Sequence, residues 1–403
     1  MGGFIKLLTA YLPNETKISM LDQWKLKELQ ALRGRVDFTC PICRKTVILK
    51  LGSKKIWHFA HKKEENCKLH LESESNYHLQ GKIDIYHWLK NQGYQAALEV
   101  YLPIINQRPD ILLKKDSKLF AIEFQCSSVP LANIQKRNRG YKQIGITPIW
   151  ILGANRLRRK TSDTYHVESI EWEMMIESGI KLQLIYYCPE AKKWALLQNI
   201  ISYSSKKALA NLKVYPYKEV TYSLLFQSPI SQVPLKNWLT IRKQWRKHLP
   251  LNQRNLLMKN YYHLLYQRKV PLSLFPLEAG WPTPYHYQLE CSPLIWQTFF
   301  LLNCLEYQPL FKSISFTFFY QWLLTFIHSN RLLIRFEEKP LIKKMLIFYL
   351  DWLCEVGLLS KESDFGKIYT KLKPITIPSS LEEAIQYDAK CLPLFINTFR
   401  RIN

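Results

Sequence analysis

Apolar and polar positions alternate most informatively over residues 109–125. Ile111-Leu112-Leu113 follows Pro109-Asp110, and the run Leu119-Phe120-Ala121-Ile122-Glu123-Phe124 carries a second acid within it. The polar stretch from Lys114 to Lys118 has the composition of a turn, so the pattern predicts adjacent strands with both carboxylates at one sheet end. Strand side chains alternate faces, which sets Glu123 and Gln125 on one side and points Ile122 and Phe124 into the core. Upstream, Ser73 can cap a helix running to Asn91, with Leu79, Ile83, Tyr86 and Leu89 on one face and Gly93 ending it. Ala97 to Leu102 reads as a strand, Leu131 to Gly140 as a helix, and Pro148 to Leu152 as a buried strand. Lys181 to Cys188 and Trp194 to Leu197 add strand material and extend this region to about residue 225. Helix, three strands, helix, strand predicts an α/β fold: a mixed sheet with flanking helices.

The pattern changes on either side. Between about Val36 and Cys67 the chain is rich in Cys and His, with two strand-like runs, Val47 to Leu51 and Ile56 to Phe59, and a helical stretch, Met20 to Leu32, leading into them. From about residue 233 onward Leu, Phe, Trp and Tyr recur at helical spacing, broken by prolines at 271, 276, 282 and 284. The expected organisation is a small zinc-ribbon-like module (1–68), an α/β domain with a mixed sheet (69–228) and a helical C-terminal domain (229–403).

Net charge changes the picture. The 403 residues carry +25, an excess that points to a polyanionic partner. No acid falls between Glu123 and Asp163, whereas Lys136, Arg137, Arg139, Lys142, Arg156, Arg158, Arg159 and Lys160 all do. These residues flank the acid pair and are expected to grip phosphates on either side of it. A second acid-free stretch, between Glu219 and Glu278, interleaves Arg242, Lys243, Arg246, Lys247, Arg254, Lys259, Arg268 and Lys269 with Trp238, Trp245, Tyr261, Tyr262 and Tyr266. Cations beside aromatic faces suit single-stranded DNA, and the same aromatics would equally suit a helical core. The most apolar segments, Ile314 to Ile327 and Leu341 to Leu359, are interrupted by Gln321, Lys343, Lys344, Asp351 and Glu355, so they read as buried helices with no stable membrane insertion. Residues Met1 to Leu12 lack the h-region and cleavage site of a secretory leader. Nine scattered cysteines without disulfide spacing fit a reducing cytoplasm.

Three constellations can carry chemistry. Asp110 and Glu123 offer paired oxygen ligands on rigid strands, as Mg²⁺ or Mn²⁺ requires, and a cation there suits phosphodiester hydrolysis. Glu74 and His78 lie four apart on the preceding helix and can face that sheet end, although the same spacing also describes an ordinary solvated helix face. Cys40-Pro-Ile-Cys43 with His58-Phe-Ala-His61 has the spacing of a structural Zn²⁺ site; Cys67 is the alternate to His58 as a ligand.

Cys40-Pro-Ile-Cys43, Lys54-Lys-Ile-Trp-His58-Phe-Ala-His61, Glu72-Ser-Glu-Ser-Asn-Tyr-His78, Pro109-Asp110-Ile, Ile122-Glu123-Phe-Gln125-Cys-Ser and Ile149-Trp-Ile-Leu152 run in an order that resembles the CoiA-type competence proteins. The resemblance covers roughly the first 160 residues. It implies for residues 69–228 a restriction-endonuclease-like, PD-(D/E)xK nuclease-like core, with Asp110 and Glu123 as metal ligands, Glu74 as an additional helix acid, and Gln125 where a Lys is usual. A neutral Gln can orient water by hydrogen bonds but carries no charge. The implied function is metal-dependent cleavage of DNA taken up during transformation. The alternative is a DNA-binding recombination accessory that no longer cuts and works alongside recombination proteins.

Overall fold

The computed structural model describes residues 6–53, 55–61, 67, 75–178, 181–226, 235–248, 256–330, 332, 334–335, 339–362 and 368–401. Near the N-terminus β1 (Lys6–Leu7), β2 (Thr9–Tyr11), β3 (Lys17–Ser19), α1 (Leu26–Leu32), β4 (Phe38–Thr39), β5 (Thr46–Lys50) and β6 (His58–His61) form one helix and a six-stranded antiparallel sheet in the order β1-β6-β5-β4-β2-β3. The expected helix from Met20 begins only at Leu26, because Ser19 and Asp22 build a turn: the Ser19 amide donates to Asp22 Oδ2 at 2.8 Å.

The middle region is the expected mixed sheet. Its elements are α2 (Asn76–Asn91), β7 (Gln95–Leu98), β8 (Ile111–Lys115), β9 (Lys118–Gln125), α3 (Leu131–Gln143), β10 (Ile146–Gly153), β11 (Arg158–Arg159), β12 (Thr164–His166), α4 (Ser169–Trp172), β13 (Ile176–Ser178), β14 (Lys181–Cys188), β15 (Lys193–Ser202), β16 (Lys207–Pro216) and α5 (Tyr222–Phe226). The strand order is β11-β12-β16-β15-β14-β10-β9-β8-β7, with β13 added beside β14. β9, β10 and β14 are mutually parallel neighbours, and α3 provides the crossover that a parallel β9–β10 pair needs. One sheet face buries Ile122, Phe124, Ile149 and Ile151 under Ile85, Trp88 and Leu89 of α2; the other packs Trp150, Leu152, Leu184 and Tyr186 with Ile134 of α3. α2 lies very close to the sheet: a Cβ on Gly81 would stand 2.0 Å from the Phe124 ring. Ser75, rather than Ser73, caps α2, its hydroxyl accepting the His78 amide at 3.1 Å. The strand expected to run to Leu102 stops at Leu98, since Glu99 takes a left-handed φ of 51°.

The C-terminal region contains α6 (Trp238–Lys247), α7 (Leu256–Gln267), α8 (Pro293–Phe300), β17 (Ser313–Ser315), α9 (Phe316–Ser329), α10 (Lys339–Glu355), β18 (Leu359–Glu362), β19 (Ile368–Lys371) and α11 (Leu381–Arg400). It is helical with one addition the periodicity did not show, the small antiparallel sheet β17-β19-β18. Its core gathers Trp238, Tyr261, Trp281, Trp296 and Trp352, so two aromatics of the second acid-free stretch are packing residues. Arg242 and Arg246 are buried as well, paired with Asp388 of α11 at 2.6 and 3.1 Å. That corrects the expectation that they face a nucleic acid. Burial holds no advantage for a charge unless it is paired, and here the pairing ties α6 to α11. Among the described residues no helix is long and apolar enough to cross a membrane.

Candidate functional site

Strand register brings three acids into one row. β8 and β9 pair Ile111 with Ile122, which sets Asp110 opposite Glu123; β7 and β8 pair Leu98 with Ile111, which sets Glu99 opposite Asp110. The Glu99 amide donates to the Asp110 carbonyl at 3.1 Å, and the Phe124 amide donates to Asp110 Oδ2 at 2.9 Å. Asp110 therefore spans the ends of three strands. Glu123 points, as its parity requires, away from Phe124 and toward α3.

Two helices deliver cations to this row. From α2, His78 Nε2 lies 3.4 Å from Asp110 Oδ2, and Lys82, one turn further on, lies 3.3 Å from Asp110 Oδ1 and 2.9 Å from Glu99. From α3, Arg137 and the Tyr141 hydroxyl both donate to Glu123 Oε1, and Arg137 also donates to the Arg108 carbonyl at 3.1 Å. Arg108 reaches Glu99 at 3.3 Å. Three carboxylates thus face three permanent cations. Burial alone would raise the Asp110 carboxyl, but Lys82, His78 and the Phe124 amide hold it well below the usual carboxylate range. Burial wins at Glu123, whose pKa lies above its ordinary value despite Arg137, with Asp110 adding to the rise. At Glu99 burial is outweighed by Arg108 and Lys82, which keep it ionised.

Gln125 lies one residue beyond Phe124, half-buried, and donates to Ser127 at 3.0 Å. Glu74 lies outside the described residues. Of the flanking cations, Lys136, Arg139 and Lys142 project from α3 into solvent, and Arg158, Arg159 and Lys160 are exposed beyond β10. Arg158 also pairs with Glu168. Arg156 is a correction: it is buried, 3.2 Å from Glu171, and donates to the Ser127 carbonyl, so it braces a loop and does not meet solvent. Arg137 likewise belongs to the acid row before it belongs to any surface.

Lys82, Glu99, Arg108 and Tyr141 were not legible as site residues. Lys82 stands amid a helix whose charged positions pattern alone assigns to solvent. Glu99 looked like a strand residue. The one available signal was the helical spacing His78–Lys82, which places both on the side of α2 that meets Asp110.

A second cluster lies in the N-terminal sheet. The turn between β4 and β5 presents Cys40 and Cys43, β6 ends on His61, and Cys67 joins them; the four ligand atoms lie within 4.8 Å of one another. His58 stands apart from this group. It is three residues from His61 along a strand, an odd number that sends it to the opposite face, where Nδ1 lies 2.7 Å from the Ile56 carbonyl. Three thiols and an imidazole are a donor set suited to a structural metal ion.

A mixed sheet with facing carboxylates at adjacent strand ends, approached by cations from helices on both faces, marks the middle region as nuclease-like. Comparison with known families agrees: residues 74–230 match the model described as "Competence protein CoiA, nuclease-like domain", residues 21–70 the N-terminal domain of the same family, and residues 233–385 its C-terminal domain. Competence protein CoiA of Bacillus subtilis (strain 168) is 31% identical over 366 residues, covering 90% of this chain and 96% of that protein. The chain belongs to the CoiA family of competence proteins. No solved structure matches it.

Proposed function

We propose that this protein is a metal-dependent phosphodiesterase that processes DNA entering the cytoplasm during genetic transformation. The observation that carries this reading is the pairing of Asp110 with Glu123 at the strand ends, with Lys82 beside Asp110. Asp110 and Glu123 would hold Mg²⁺ or Mn²⁺, and their hard oxygens fit such an ion. The ion would supply Lewis-acid stabilisation of the phosphodiester's developing charge and a water that ionises near neutral pH. Gln125 orients the attacking water by hydrogen bonding, and His78 and Glu74 support the ligands. Lys82 supplies the positive charge that Gln125 lacks. Lys136, Arg139, Lys142, Arg158, Arg159 and Lys160 hold the flanking phosphates, and Zn²⁺ at Cys40, Cys43, His61 and Cys67 stabilises the N-terminal module.

The second reading, a DNA-binding recombination accessory that does not cut, is favoured by one feature of the same site. Lys82, Arg108 and Arg137 already neutralise the three acids, so the cluster is charge-balanced by protein groups alone. In that case the basic surface binds single-stranded DNA and the C-terminal domain recruits recombination proteins.

Cleavage of labelled single- and double-stranded DNA in Mg²⁺, Mn²⁺ or EDTA separates the two, with Asp110→Asn and Glu123→Gln alongside. The nuclease reading expects metal-dependent product that falls by at least about a hundredfold in both variants, the several kcal/mol such an ion contributes, with DNA binding retained. Tight binding without product in either metal establishes the accessory reading in its place.

A further inference from the structure

One member of the acid row has no part in the cleavage reading. Glu99 is fully buried and leaves β7 through a left-handed backbone, a conformation that non-glycine residues keep only where their surroundings impose it. From there its carboxylate bridges the nuclease-like region and the N-terminal sheet. Oε2 accepts hydrogen bonds from the Leu8 amide at 3.0 Å, the Thr9 amide at 3.2 Å and the Thr9 hydroxyl at 3.1 Å. Oε1 accepts from Lys82 at 2.9 Å.

Lys82 is the link to the site. Its ammonium, fully buried, is shared between Glu99 at 2.9 Å and Asp110 at 3.3 Å. Glu99 is also met by Arg108 at 3.3 Å and Asp110 by His78 at 3.4 Å. A buried ammonium shared between two such carboxylates is drawn toward the remaining one when the other loses its charge, because a buried charge is costly without a counter-ion. Glu99 thus holds part of the Lys82 charge off Asp110. Leu8 lies between β1 and β2 and Thr9 opens β2, and β1 pairs Leu7 with Phe59 of β6, the strand that ends on His61 of the Cys/His cluster.

We propose that Glu99 is a positioning residue that restrains Lys82 from Asp110 and anchors this setting to the N-terminal sheet, and so sets how tightly Asp110 and Glu123 hold a divalent cation. The inference rests on reading that pair as a cation site. A residue that merely fastened two domains together would make the same hydrogen bonds, but the charge argument predicts a compensation that fastening does not.

The test is Mn²⁺ binding to the full-length protein, followed by electron paramagnetic resonance, in the wild type, Glu99→Gln, Thr9→Val and the double variant Lys82→Met/Glu99→Gln. Gln can still accept from the Leu8 and Thr9 amides. Glu99→Gln is expected to weaken Mn²⁺ binding by about tenfold, within the range for residues of one network, as Lys82 closes on Asp110. Removing the ammonium together with the acid restores the affinity, and Thr9→Val, which leaves the charge in place, weakens it less. Unchanged affinity in Glu99→Gln, or equal loss in the double variant, overturns the proposal. If the wild type takes up no Mn²⁺ that Asp110→Asn abolishes, the cation reading falls, and hydrogen exchange at the Phe124 amide, the donor to Asp110, then judges Glu99 without metal. Faster exchange in Glu99→Gln that recovers in the double variant supports the positioning of Lys82 by Glu99, and unchanged exchange overturns it.

Discussion

A buried titratable side chain records its surroundings in its proton affinity, and His286 does so most plainly. It is fully buried, and Nε2 donates to the Cys291 carbonyl at 2.9 Å; burial, with Arg335 nearby, pushes its pKa down from 6.5 to about 3. The folded chain therefore stays unprotonated where the unfolded chain binds a proton. Stability is fully present above about pH 6.5 and is lost as pH falls toward 3, by at most about 1.4 kcal/mol per unit from this residue. Urea unfolding at pH 7 and pH 5 should show a smaller loss in His286→Gln than in the wild type; equal losses would count against the assignment. The candidate site illustrates a different limit of residue-scale reading. Asp110 and Glu123 could be picked out because one opens an apolar run and the other interrupts one, whereas Lys82 could not, since nothing local distinguishes a lysine that finds two buried carboxylates from one that finds water.

Elements follow the periodicity wherever one face is buried. α2, β8, β9, α3 and β10 all form where alternation or helical spacing predicts them, with ends shifted by a few residues. The shifts have local causes: Ser75 rather than Ser73 meets the α2 amides, and the left-handed Glu99 ends β7 early. The three short strands β17, β18 and β19 went unread because each has only three or four residues, too few to establish a period against the surrounding helices. Contact between α2 and β9 depends on a single missing methyl. Gly81→Ala would drive Cβ into the Phe124 ring and is expected to destabilise the chain by about 1–3 kcal/mol, the usual cost of overpacking. Thermal or urea denaturation checks this, and an unchanged midpoint would show that α2 can move away freely.

At the scale of the whole molecule, the +25 charge resolves into two populations. Arg156, Arg242 and Arg246 are interior and paired with acids, and they hold loops and helices together. Lys136, Arg139 and Lys142 are exposed on α3, the helix whose inner side carries Arg137 and Tyr141 to Glu123. If DNA crosses this face, replacing those three by Gln should lower the slope of log affinity against log salt by about two to three, since each phosphate contact contributes about 0.7–0.9. Arg156→Gln should leave the slope alone and lower stability instead. A slope unchanged in the triple variant would move the DNA-binding surface elsewhere on the chain.

What depends on neighbours along the chain is legible before folding: the mixed α/β order of the middle region, the two acids at the strand ends, the CxxC turn and the overall basic charge. Periodicity and turn chemistry act over a few residues, so they are readable without the fold. Which partners those groups meet is settled by the fold. It set Cys67 instead of His58 beside Cys40, Cys43 and His61, turned Arg156, Arg242 and Arg246 inward, and brought Lys82 and Glu99 to Asp110. Leu8 and Glu99 are 91 residues apart in the chain yet joined by a hydrogen bond of 3.0 Å. Burial, which makes such pairing obligatory, arises only once helices and sheets have closed over one another.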